Sequence, residues 1–164
     1  MATLSAGLTD GDNAMRFAVI WMLLLLTGCA TTVDDGLRTM ASNYDVPTTV
    51  ERLEAALTER GMTIFNTIDH AAGAASVDQS LRPTVLVVFG NPRVGSRLMN
   101  CEQRVGIDLP MKALIYEDTD GETYLAYNPG FWIAERHSLG ACFGVVQNVD
   151  NALAAFARAA TAGP

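Results

Sequence analysis

His70 and His137 are the only two histidines in the chain. Histidine is the commonest metal ligand and the usual acid–base group near neutral pH. Held together, with Asp69, Asp108 or Glu117 beside them, the pair could bind Zn2+ or Cu2+, or ligate a haem axially. Spacing gives little support, because there is no His-x-x-x-His, no Cys-x-x-Cys and no haem-attachment motif. The competing reading is two separate structural histidines, each bonded to a backbone carbonyl or to Asp69. A second candidate is Gly90-Asn91-Pro92, followed by Arg93 and Arg97. Backbone N–H groups at a helix start can receive an anion, and the two arginines would add charge there. The plainer account makes Asn91 an N-cap and Pro92 a first helical residue, with both arginines in water. The loop lacks the glycine spacing of a nucleotide-binding P-loop.

The three cysteines divide into two groups. Leu26-Thr27-Gly28-Cys29 resembles a bacterial lipobox and closes the apolar run from Phe17 to Leu26, with Arg16 ahead of it. That run is too short for the ~20 residues of a membrane-spanning helix and fits the ~7–15 of a signal-peptide core. The expectation is a leader over 1–28, with a start at Met15 as its better beginning, and cleavage before Cys29. The Cys29 sulfur would then carry fatty acyl chains, palmitate among them, each buried methylene contributing ~0.8 kcal/mol to anchoring. Ala30 stands where an aspartate would resemble an inner-membrane retention signal, so the outer membrane is the favoured destination. Residues 29–36 read as a lipidated tether. Cys101 and Cys142 remain, and in an exported, oxidising compartment they form either a disulfide or two buried thiols.

Other chemistry finds less footing. Ser76, Ser80, Ser96 and Ser138 lack the Gly-x-Ser-x-Gly elbow of a serine hydrolase. Glu117, Asp118, Asp120 and Glu122 surround a turn and read as solvated carboxylates; the loop does not match an EF-hand. Tyr124, Tyr127, Phe131 and Trp132 read as core, or as an aromatic-lined pocket or dimer face. The chain carries a net charge of −7. Such a balance argues against nucleic acid, whose backbone demands a basic surface, and against electrostatic docking on anionic lipid.

The elements that must position these groups follow from pattern. Residues 37–44 read as a first strand. Thr48 and Glu51 have capping-box spacing, and Val50, Leu53, Ala56 and Leu57 make one helical face ending at Gly61. Residues 63–68 return as a strand, with a short helix within 71–79. Thr84 to Phe89 is a continuous apolar run suited to a central strand. A helix opens at Pro92. Residues 112–117 and 122–127 form a hairpin around Asp118-Thr119-Asp120-Gly121. Residues 131–137 form a short helix, and Asn148 caps a last helix with Val149, Leu153, Phe156 and Ala160 on one face. The order predicts one α+β domain over 37–162: an antiparallel sheet covered by two main helices.

Arg82-Pro83, Gly90-Asn91-Pro92, Gly95, Leu98-Met99, the run Gly106 to Lys112, Glu117-Asp118 and Tyr127-Asn128-Pro129 together resemble the domain-of-unknown-function 302 family. Asp69-His70 and His137 fall where that family tends to have histidine. The resemblance implies a β-α-β4-α sandwich similar to half of the TATA-binding-protein fold, often dimeric, and implies no activity. Cys101 and Cys142 stand outside its pattern. With a lipobox, an acidic compact domain and no catalytic constellation, and with any cofactor unknown, the expected function is non-enzymatic: a lipid-anchored periplasmic domain binding a small molecule or partner. The alternatives are a metal- or haem-binding envelope protein using His70 and His137, and a structural subunit of an envelope complex.

Overall fold

The structure is a computed structural model that describes residues 36–163; the readings made on the leader and on Cys29 lie outside these residues. Strand β1 (Arg38–Ala41) leads into helix α1 (Val46–Glu59), strand β2 (Thr63–Asp69) and the short α2 (His70–Ala75). Strand β3 (Thr84–Gly90), helix α3 (Pro92–Cys101) and a 3-10 turn (Gln103–Ile107) follow. The hairpin β4 (Met111–Glu117) and β5 (Thr123–Tyr127) precedes α4 (Gly130–Arg136), a second 3-10 turn (Leu139–Cys142) and α5 (Phe143–Thr161). The strands form one antiparallel sheet in the order β1-β5-β4-β3-β2. Helices α1 and α5 cover one face, giving the two-layer α+β sandwich expected from the sequence.

Alternation along the strands separates the faces. Val87, Phe89, Ala113, Ile115 and Leu125 point under the helices and are almost fully buried. Leu86, Val88 and Leu114 point the other way and are only half-buried, beside the stacked rings of Tyr116 and Tyr124. Strand β3 lies inside the sheet between β4 and β2, buried under the helices on one face and half-buried on the other, which suits the apolar run Thr84 to Phe89. Against the helical side sit Leu53 and Leu57 of α1 and Val146, Leu153, Phe156 and Ala160 of α5. Arg52 fastens these helices together: its guanidinium donates to the carbonyls of Ala159, Ala160 and Ala162 at the C-terminus of α5. A cation there meets the negative end of the helix dipole.

Two helix starts differ from the sequence reading. Asp45, not Thr48, caps α1; its Oδ1 accepts the Thr48 N–H at 2.9 Å, so Thr48 receives the cap and the helix begins at Val46. Gly61 does follow the last turn with φ +67°, where a side chain would be strained. Helix α5 starts at Phe143, ahead of Asn148, which lies within it. The disulfide-bearing 3-10 turn leads straight into that helix without a side-chain cap, a tertiary arrangement that local pattern does not encode.

Candidate functional site

Asn91 closes β3 and its Oδ1 accepts the Arg93 N–H at 3.0 Å, with Pro92 as the first helical residue of α3. This cap sets α3 across the end of the helical layer. Beneath it lies a cavity of about 440 Å3. Phe65, Phe89, Val94, Leu98, Val149 and Phe156 contribute to its walls. A bulge between Ile64 and Asn66 turns Phe65 out of the ladder, leaving it half-exposed at the cavity rim. The lining is predominantly apolar, and the volume lies within the ~300–1,000 Å3 of ordinary small-molecule sites.

Gly95 and Gly106 are among the lining residues, and a methyl group would fit at either. A Cβ on Gly95 of α3 would meet only the Leu109 side chain at 3.8 Å, and one on Gly106 would meet Met99 Sδ at 3.4 Å. A helical glycine costs ~1 kcal/mol relative to alanine, so Gly95 within α3 is a sequence signal for the site that the family resemblance absorbed without explaining. The disulfide Cys101–Cys142 ties the end of α3 to the turn before α5, with Cα atoms 6.5 Å apart. Of the two readings of these cysteines, the structure takes the paired one.

The anion candidates divide. The Asn91 side-chain oxygen is engaged as a helix cap, although the residue lines the cavity. Arg97 also lines it, while Arg93 does not. Both arginines are exposed, and neither has an ion-pair partner among the described residues. They can therefore offer charge at the mouth of an apolar space.

The histidines are not brought together. His70 follows Asp69, which pairs with Val85 at the start of β3 and whose carboxylate caps α2 through the Ala72 N–H. His137 lies at the other end of the sheet, 2.6 Å from Asp108 Oδ2, with Asp108 preceding the β4 residue that pairs with Phe89. Val85 to Phe89 alone spans about 13 Å at ~3.3 Å per residue. Of the two readings of the histidines, the joint metal or haem site is thus the one the structure does not assemble, because β3 runs between its two halves. Glu117 also stands at the His70 end. Among the described residues no cluster of three histidine, cysteine or carboxylate side chains is placed to hold a metal ion.

Of the companions considered for the histidines, Asp108 does meet His137. Arg136 Nη1 donates to Asp108 Oδ1 at 3.1 Å, so one carboxylate gathers both residues at the end of α4. Asp108 and His137 are largely buried while Arg136 is half-exposed. The cluster fastens the first 3-10 turn to α4, and Arg104 and Ile107 form a shallow concavity beside it. A histidine–carboxylate pair can orient a proton acceptor, but a reacting partner is needed to make a catalytic unit. On the turn itself, the Arg104 hydrogen bonds hold the Glu102 carboxyl at about 2, well below its ordinary value.

The family model described as a domain of unknown function, DUF302, matches residues 38–159. A solved structure of an uncharacterised conserved DUF302 protein from Bacillus stearothermophilus shares the fold, with a TM-score of 0.70 at 20% identity. The match covers 77% of this chain and 98% of that one. Curated relatives include the fluoride-specific ion channel FluC 1 of Brucella suis and its counterpart in Brucella abortus, each 43% identical over 111 residues. That stretch is 68% of this chain but 44% and 41% of theirs, so the chain spans under half the length of these relatives.

Proposed function

This chain belongs to the DUF302 family, whose description assigns no activity, and from that premise we propose a non-enzymatic binding domain for a small apolar or amphiphilic molecule. The observation that carries the reading is the apolar cavity under α3, lined in part by Gly95 and edged by the unpaired Arg97. An apolar wall supplies most of the binding free energy, at ~25 cal/mol per Å2 removed from water. A cation at the mouth selects a ligand with an acidic or strongly polar head. The Cys29 lipobox supports a lipid-anchored periplasmic location, and the Cys101–Cys142 disulfide fits an oxidising compartment.

The test is a thermal-shift and native mass spectrometry screen of the purified chain against fatty acids, lysophospholipids and neutral alkyl compounds. Binding should raise the melting temperature and add the ligand mass. Gly95→Leu, which extends a side chain into the cavity, should abolish both while leaving the ligand-free melting temperature unchanged or higher. A wild-type chain unmoved by the whole panel would sink the reading.

The Brucella relatives favour a second reading: a module that works beside a membrane protein. Their name denotes an ion channel, yet no helix among the described residues is long and apolar enough to cross a membrane. The part they share with this chain would then be an appended domain. The helix-free sheet face, with Leu86, Val88 and Leu114, offers such a partner or a second copy an apolar surface. Cross-linking in intact cells from Leu114 would separate the two, yielding either a homodimer or a channel-type partner.

A further inference from the structure

The net charge of the chain conceals an uneven distribution. At the end of the sheet that carries the cavity, Arg38, Arg60, Arg93, Arg97, Arg104 and Arg136 are exposed, with Lys112 beside Asp108. Against these seven cations stand five carboxylates: Glu102 bound by Arg104, Asp108 by Arg136 and His137, Asp150 bonded to the Gly130 N–H, and Glu59 and Glu135. The opposite end holds Glu117, Asp118, Asp120 and Glu122 around the β4–β5 turn, with Asp69 and Asp78 nearby and Arg82, which donates to the Glu117 carbonyl, as a cation among them. Its negative potential is felt locally: the Asp118 charge pushes the Tyr124 phenol above its ordinary value.

The exposed large apolar residues are uneven too. Leu37, Phe65, Met99, Ile107, Phe131 and Phe143 come from segments at the basic end, against Ile68, Val77 and Leu81 at the other, and the Phe131 and Phe143 rings lie 5.9 Å apart. Aromatic and aliphatic groups mixed with arginine are the composition of an interfacial membrane surface. The described chain also begins there. Arg38 pairs with Tyr127, Tyr127 pairs with Ala113, and Ala113 lies two residues past Met111 of the cavity wall. Gly36 sits close against the Trp132 ring, where a Cβ would approach to 2.4 Å.

We propose that this basic, apolar end of the domain seats on an anionic phospholipid surface, with the cavity mouth at the interface. The inference rests on the lipid-anchored reading of Cys29. From Cys29 to Gly36 the backbone reaches at most about 25 Å at ~3.6 Å per residue, so the anchor holds this end near the bilayer. Charge complementarity then selects the orientation: the arginines face anionic headgroups and the acidic hairpin points away. Each basic residue near such a surface strengthens docking about fivefold. The cavity would thereby draw its amphiphile directly from the membrane.

The experiment uses the lipidated protein in phosphatidylethanolamine vesicles, with or without phosphatidylglycerol, containing spin-labelled lipid as a short-range quencher. Single tryptophans report from each end, Phe131→Trp or Thr119→Trp, in a Trp132→Phe background, Trp21 leaving with the leader. Fluorescence at position 131 should be quenched, more strongly with phosphatidylglycerol, and fluorescence at 119 should not. Arg93→Gln with Arg97→Gln should lower the docked-to-undocked ratio about 25-fold, returning position 131 toward the level of 119. Circular dichroism would check that the variants remain folded. Absence of quenching at 131, equal quenching at both positions, or cross-linking of 131 to a protein without lipid quenching would each overturn the proposal.

Flotation of the same samples reads the anchor separately. A chain that fails to float removes the anchoring reading; quenching at 131 of that unanchored chain on anionic vesicles still supports this orientation, and its absence refutes it. The thermal-shift screen is independent of both, so failure of the ligand reading leaves a distinct result.

Discussion

The two ends of the sheet are built from the same strands and serve different physical ends. At the acidic end, β4 turns tightly into β5, and Asp118 Oδ1 accepts the N–H groups of Asp120 and Glu122 at 2.9 and 3.0 Å. Short-range hydrogen bonds satisfy that end, with Gly121 supplying the positive φ of +83°. At the other end, β3 and β4 are joined through α3 and a 3-10 turn, and distant parts of the chain must cooperate. A cap on β3, a disulfide to the start of α5 and a carboxylate shared by Arg136 and His137 hold the connection. The difference shows where a fold leaves room for function. A locally satisfied turn needs no cavity, whereas a long connection pinned at its margins can enclose one.

Removing the pin should give the largest effect. Cys101→Ser together with Cys142→Ser would cost ~2–4 kcal/mol on the chain-entropy estimate for a cross-link of this span. The melting temperature should fall, and hydrogen exchange should rise in residues 92–107 far more than around the hairpin. Uniform exchange across both ends would break the contrast drawn between them.

Gly121→Ala probes the other end with a smaller effect. Forcing a Cβ into the left-handed region costs ~1–2 kcal/mol. Urea unfolding should register that loss, while affinity for any ligand found in the screen should be unchanged. A coupled loss of binding would mean that the ends communicate through β4.

Glu102→Gln should have the smallest effect, and it is a matter of pH. Glu102 has a folded value near 2, depressed from 4.5 by hydrogen bonds from Arg104. A depressed carboxyl stabilises above its unfolded value, and that contribution disappears as pH falls from about 4.5 through about 2. The variant should therefore be slightly less stable than the parent above about pH 4.5, and the two stability curves should converge as pH falls through about 2. The pair is exposed, so a steep neutral-pH loss would point to a further role for the turn.

Much of this was legible in the chain. The β-branched run of β3, the Asp-Gly hairpin, the Asn91-Pro92 helix start and the amphipathic stripes of α1 and α5 all express local rules, and each appears as expected. The helix starts that differed depend on neighbours: Asp45 captures the α1 cap, and the disulfide-bearing turn starts α5 ahead of Asn148. The candidate site was legible only at Asn91 and Arg97. Its walls are ordinary apolar residues from α3, α5 and three strand ends, and nothing in their spacing distinguishes lining from core. The choice between joined and separate histidines was open for a related reason, since two residues far apart in sequence carry no information about distance until the register is known.

By itself the sequence determined the elements, their order and the lipobox pattern, because periodicity, capping and turn chemistry act over a few residues. The tertiary structure decided which groups meet. It separated His70 from His137, joined Cys101 to Cys142, hollowed a cavity beneath α3 and sorted an acidic chain into a basic end and an acidic end. Net charge is a sum over the chain, whereas electrostatic potential at a surface depends on where each charge sits, and only the packed sheet fixes those positions.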